Sequence, residues 1–395
     1  MDPSSLLRCG QFVTTVAGAV YSQRGILSTP TYHPRRHVSF ADVQASYGPN
    51  FDRAMRMSAD AFQDLVDRLR PRLPRRGVPP EVRTAIALRY LGGGSYLDIC
   101  ATLGVHTCTV YRALWDVIDA VNSTPLLDLD FQLSSSSRRL AYASGFQSRR
   151  NSPFGNVCGA LDGIAVEQEQ PLASDVPCVA DYYSRKGFYA LNTQAICDSE
   201  YKFRWMACTS PGATHDSTAF SGTSLGRQLS DRGSVLALDM TRDGHCIAAD
   251  EAYAASDVLA VPWPGGGRGD RWRDAYNFYL SSLRIHIEQA FGMLLWRWGV
   301  FWRPLRVPFA KRPSLIRACF RLHNFCRSHS VAAAAVGAPF GNDRVGADVS
   351  FARNDDVSAC QRGRRRDCER SDLRVRMTNH VEERGLLRPG VAPMF

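Results

Sequence analysis

Three runs dense in β-branched, apolar and aromatic residues follow one another in the second half of the chain: NVCGALDGIAVEQ, YALNTQAICDSEYKF and RWMACTSPG. A helix-like stretch comes next, STAFSGTSLGRQL, then a fourth short run, HCIAAD, and later a long helical segment from about Asp274 to Trp298. Consecutive strands followed by strands mixed with helices specify an α/β domain around a mixed sheet.

Acids stand where the first and fourth runs give out. Asp162 follows VCGAL and precedes a glycine that lets the backbone turn, and Asp250 follows CIAA in the same way. A carboxylate at the end of a buried strand is costly unless it is paired or used. If these two runs are neighbouring parallel strands, Asp162 and Asp250 lie side by side at the carboxyl ends, the usual ligand crevice of an open α/β sheet. Glu288, in RIHIEQAFG, lies on a helix whose other face carries Ile285, Ile287, Phe291 and Leu294, so it is expected to point back toward the sheet. Taken singly, each acid is more ordinary as a surface or capping residue. Their joint layout predicts a catalytic triad of Asp162, Asp250 and Glu288 around divalent metal, Mg²⁺ or Mn²⁺. Asp216, in SPGATHDS, has two open readings: an N-cap shared with Ser217, or a fourth acid near the metal. His215 and His323 are read as backbone-bonded imidazoles rather than proton carriers.

Ahead of the sheet the periodicity is helical. Ser58 is placed to cap a helix bearing Phe62, Leu65, Val66 and Leu69, and a second helix starts after Pro79-Pro80. In SYLDICATLGVHTCTVYRALWDVIDAV, Ser95 caps a short helix, Gly104 supplies the turn and Thr107 caps a longer helix, which together predict a helix-turn-helix. Its second helix would offer His106, Thr107, Thr109, Tyr111 and Arg112 to DNA; the bland alternative is a bundle that merely packs.

The net charge of +10 suits a polyanionic partner. Only Lys186, Lys202 and Lys311 among the basic residues are lysine, which favours forked phosphate contacts but can equally reflect genome composition. Arg185 and Lys186 in SRKG, and Arg284 and Arg297 on the Glu288 helix, are the candidate phosphate contacts, weighed against ordinary solvated charge. The twelve cysteines form no CxxC pair and read as buried free thiols in a reducing compartment. No apolar stretch reaches the ~20 residues that span a bilayer, and the N-terminus lacks a secretory layout. An intracellular protein is expected.

ALDGIAV, YYSRKGFYALNTQAICD, SPGATHDSTAF, ADEAY, RIHIEQAFGMLLWRW and RACFRLHNF together resemble the PIF/Harbinger transposases and the nucleases derived from them. MSADAFQDLVDRL and the helix-turn-helix segment resemble that family's helical front, so the likeness covers roughly residues 50 to 330. PWPGGGRGDRW is a glycine-laden departure from the family's loop. The resemblance implies an RNase H-like fold, divalent metal, and cleavage and joining of DNA at transposon ends, with Asp162, Asp216, Asp250 and Glu288 as metal-binding acids. It also implies a Myb-like accessory partner and a nuclear location.

The resulting expectation is an α/β, RNase H-like mixed-sheet catalytic domain preceded by an all-α helix-turn-helix-like domain. Residues 1–45 are read as disordered, 46–125 as the helical domain, 126–153 as a linker, 154–330 as the endonuclease domain and 331–395 as a charged tail with a short terminal helix. DNA is the expected partner, a homo-oligomer the expected assembly, and no membrane is involved. A domesticated descendant that binds DNA or protein without cutting is the alternative, and an RNA-directed nuclease of the same fold a third reading.

Overall fold

The protein is described here by a computed structural model, which covers residues 39–335 except 76, 151 and 268, and residues 372–389. The expected unordered segment before residue 39 and the Arg-rich QRGRRRDCER run lie outside these described residues.

From Ser39 onward the chain is already helical. The Ser39 hydroxyl accepts the Asp42 N–H at 3.2 Å while the Asp42 carboxylate accepts the Ser39 N–H at 2.9 Å, a capping box that starts α1 (Phe40–Tyr47) inside the stretch expected to be unordered. After α2 (Phe51–Met55) comes α3 (Ala59–Leu69), capped by Ser58 and burying Phe62, Leu65, Val66 and Leu69 as their spacing requires. Next are α4 (Pro80–Leu91), α5 (Tyr96–Leu103) and α6 (Thr107–Ser123). Gly104, at φ 61°, makes the turn between the last two in the left-handed region. His106, not Thr107, caps α6: its Nδ1 accepts the Cys108 N–H at 3.3 Å, and Thr107 is the first helical residue.

The Ser- and Arg-rich stretch read as a linker contains a helix, α7 (Ser136–Arg150). Its polar composition hides a narrow buried face of Arg139, Ala143 and Phe146, and the Arg139 guanidinium pairs with Asp243 and the Leu133 carbonyl.

The sheet then forms from β1 (Val157–Glu167), β2 (Ala190–Cys197), β3 (Phe203–Pro211), β4 (Cys246–Ala248) and β5 (Leu259–Ala260), with α8 (Asp216–Ser221), α9 (Ser224–Ser230) and α10 (Val235–Arg242) between β3 and β4. Its order is β3-β2-β1-β4-β5. The first three strands are antiparallel neighbours, and β4 and β5 join parallel to β1. A helical front followed by this mixed five-stranded sheet with helices is the α/β, RNase H-like fold expected.

Alternation along β1 sends successive side chains to opposite faces. Ala160, Ile164 and Val166 join one core with α11 (Arg271–Arg297) and α12 (Arg312–Ala335); Cys158 and Leu161 join the other with Phe220, Leu229 and Met240 of α8 to α10. The front helices are stitched to α11 and α12. Asn122 Nδ2 donates to Ser314 O at 2.9 Å, Arg321 donates to Val121 O and Asn122 O at 3.0 and 2.7 Å, and Arg297 donates to Arg56 O.

The terminal helix, α13 (Asp372–Glu383), packs on α11 rather than trailing in solvent. Leu373, Met377 and Val381 repeat every four residues on its buried side, and Trp263 Nε1 donates to Thr378 Oγ1 at 2.9 Å. Each buried apolar side chain contributes about 2 kcal/mol. Deleting residues 372–395 should therefore lower unfolding free energy by about 5 kcal/mol or more, read from urea titrations. A deletion that leaves the midpoint unchanged would mean that the docking is idle. The nine described cysteines are free, and no described helix is long and apolar enough to cross a membrane.

Candidate active site

Parallel pairing sets the first two acids. Ala160 of β1 is in register with Ala248 of β4, and two residues further along each chain stand Asp162 and Asp250. Neither carboxylate is well solvated, and the two repel. Burial first, then the charge of Asp250, pushes the Asp162 carboxyl up to about 8, and burial likewise raises Asp250. Each has one backbone donor: Gly163 N–H to Asp162 Oδ1 at 2.7 Å, and Ala252 N–H to Asp250 Oδ1 at 2.8 Å.

Arg284 and Glu288 come from one face of α11, a helical turn apart. Arg284 Nη2 lies 3.9 Å from Asp250 Oδ2 and 3.7 Å from Glu288 Oε1. Its guanidinium opposes the upward shifts of both aspartates. Arg284 is thus a counter-ion inside the acid group, a different position from the open phosphate contact expected. Glu288 is 53% exposed at the rim and reaches the group through Arg284.

Asp216 is the first residue of α8, whose cap position is taken by the backbone of His215, so neither it nor Ser217 is the N-cap. Asp216 Oδ1 accepts Asn192 Nδ2 and Gln194 Nε2, each at 2.9 Å. It fills the space beside Gly163 that a side chain would need: a Cβ there would lie 2.3 Å from Asp216 Oδ1 and 2.4 Å from Gln194 Nε2. That is the requirement behind the glycine after Asp162.

Acids on β1, after β4 and on α11 therefore share one guanidinium, that of Arg284. Residues 161–324 match the family model described as DDE superfamily endonuclease. No curated protein and no solved structure matches the chain. The matched segment contains all four acids and runs from the middle of β1 into α12.

Among the described residues, no three His, Cys, Asp or Glu side chains are grouped closely enough to hold a metal ion together. The donor chemistry of these acids still fits a hard divalent cation. Two partly desolvated, mutually repelling carboxylates face one crevice, where a small dication would offset the charge, and Glu288 stands exposed beside them.

The remaining candidates are spread over the surface. Arg185 and Lys186 are exposed at a turn closed by Gly187, between the paired Tyr183 and Tyr189, beyond the finishing end of β1. Arg297 is committed to Arg56 O at the helical front. On α6, Arg112 and Tyr111 are exposed, while Thr107 and Thr109 are half-buried, Thr107 beside Cys100. His323 is structural: it is buried, bonded to Tyr201 O at 2.8 Å, and held near pH-insensitive neutrality with its pKa lowered to about 3 by burial. His215 lies close enough to Asp250 to oppose its upward shift.

Three residues near the acids escaped the sequence reading: Asn192, Gln194 and Tyr253. Tyr253 Oη donates to Gln194 Oε1 at 2.5 Å, and all three are buried. The signal was two amides spaced by two in an otherwise apolar strand, a pattern that puts both on one covered face.

Proposed function

We propose that this protein is a divalent-metal-dependent DNA endonuclease of transposase type, of the PIF/Harbinger kind, with Asp162, Asp250 and Glu288 holding the metal. The observation that carries the reading is the parallel β1–β4 pairing, which brings two repelling carboxylates together beside Glu288. A partly desolvated like-charge pair costs stability, and metal-assisted hydrolysis gives it a use. When bound, Mg²⁺ or Mn²⁺ would supply the Lewis acidity that activates water, or a 3′-hydroxyl, and stabilises the leaving oxygen.

The chain's own residues divide the remaining work. Arg185 and Lys186, exposed beyond the end of β1, bind backbone phosphates. Arg112, with Thr107 and Thr109 at the start of α6, holds duplex DNA at the front helices. Arg284 holds Asp250 and Glu288 in place while the acids lack a dication. A Myb-like partner, a homo-oligomeric state and a nuclear location belong to the same proposal.

An end-labelled DNA duplex incubated with the full chain should be nicked in Mn²⁺ or Mg²⁺ and stay intact in EDTA. DNA that is bound but never nicked under any of these conditions would sink the endonuclease reading and leave the non-cutting DNA-binding one. Preferential cutting of RNA would move the substrate class.

A further inference from the structure

Asp216 stands beside the acids but is bonded as a strut. Both amides that reach it converge on one oxygen, Oδ1, and Asn192 Nδ2 is also held by Thr214 O at 2.9 Å. The Gln194 amide can face only one way. Its nitrogen looks at two acceptors, Asp216 Oδ1 at 2.9 Å and Asn192 Oδ1 at 2.7 Å, and its oxygen takes the Tyr253 hydroxyl. Tyr253 belongs to the turn that begins at Asp250: its own N–H donates to Asp250 O at 3.3 Å. Its ring also meets Phe220 of α8 edge-on, with centroids 5.9 Å apart, so the segments of Asp216 and Asp250 are tied twice.

The strand register separates this strut from the acid pair. Gly163 faces Gln194 across β1 and β2, and Asp162 faces Ala195. By alternation Asp162 shares the α11 side, whereas Asp216 sits at Gly163 on the α8 side. We infer that Asp216 is a positioning residue: with Asn192, Gln194 and Tyr253 it forms a buried polar brace that fixes the Asp250 turn, and it does not itself hold the metal. The inference rests on the reading of Asp162, Asp250 and Glu288 as the metal-holding acids.

The two roles predict different responses to an isosteric change. An amide at 216 keeps an oxygen for Gln194 and Asn192 to donate to, so the brace survives Asp216→Asn. A ligand would lose its charge and its cation. Mn²⁺ affinity of the full chain, measured calorimetrically without DNA, should stay within about threefold of wild type for Asp216→Asn. It should fall about tenfold or more for Tyr253→Phe, which removes the hydroxyl that ties the Asp250 turn to Gln194. Asp250→Asn is the reference and should abolish binding. Melting in EDTA confirms that each variant is folded.

If Asp216→Asn loses Mn²⁺ as completely as Asp250→Asn, Asp216 is a ligand and the inference falls. Wild-type affinity in Tyr253→Phe removes the brace. Wild-type affinity in Asp250→Asn overturns the underlying site instead, so the two failures are distinguishable.

Discussion

Asp162→Asn is expected to reduce metal-dependent DNA cleavage by about a thousandfold or more while leaving duplex affinity within about threefold of wild type. The split follows from placement. Asp162 lies inside the sheet beside Asp250 and Glu288's helix, away from the exposed Arg185, Lys186 and Arg112 proposed to meet phosphates. Loss of charge at Asp162 leaves the nearest cation, Arg284, with Asp250 and Glu288 still in place, so the crevice should not collapse. Single-turnover cleavage and filter binding on one DNA fragment measure the two quantities. Equal rates for variant and wild type in Mn²⁺ would remove Asp162 from the chemistry.

Without divalent metal the same variant should be the more stable protein above neutral pH. The Asp162 carboxyl is pushed up to about 8 in the folded protein, against about 4 in the unfolded chain. Below pH about 4 both states keep the proton and the site contributes nothing. Between about 4 and 8 the unfolded chain has released a proton that the folded protein retains, so stability falls as pH rises. Above that window the full cost remains. The paired aspartates titrate together, so the transition belongs to the pair. In EDTA, wild-type Tm should fall on the order of 5 °C more than that of Asp162→Asn between pH 5 and 8.5. Mn²⁺ should restore the wild type and do little for the variant. Parallel curves for both proteins would show that the buried acid carries no such cost.

The strand runs, and the adjacency of the first and fourth, were legible because apolar runs are local signals that survive into the fold, although Asp162 lies within β1 rather than at its end. So were the long helix bearing Glu288 and the capping serines Ser58 and Ser95. What stayed hidden depends on distant partners. Nothing near Arg284 in the chain announces Asp250, and its guanidinium looked like surface charge until α11 was laid across the sheet. The helix from Ser136 to Arg150 was masked by composition, since its buried face is two apolar residues and an arginine paired far along the chain. The role of Asp216 was undecidable locally because its partners, Asn192 and Gln194, come from another strand.

The terminal helix carries a consequence for synthesis. Trp263 and the neighbouring flank of the Glu288 helix remain uncovered until residues 372–383 have left the ribosome, after every acid has already emerged. A nascent polypeptide would therefore display its carboxylates on an unfinished scaffold, and truncated translation products would lack the clasp that steadies them. Emergence of the terminal helix, rather than appearance of the last acid, would complete the scaffold around the acids.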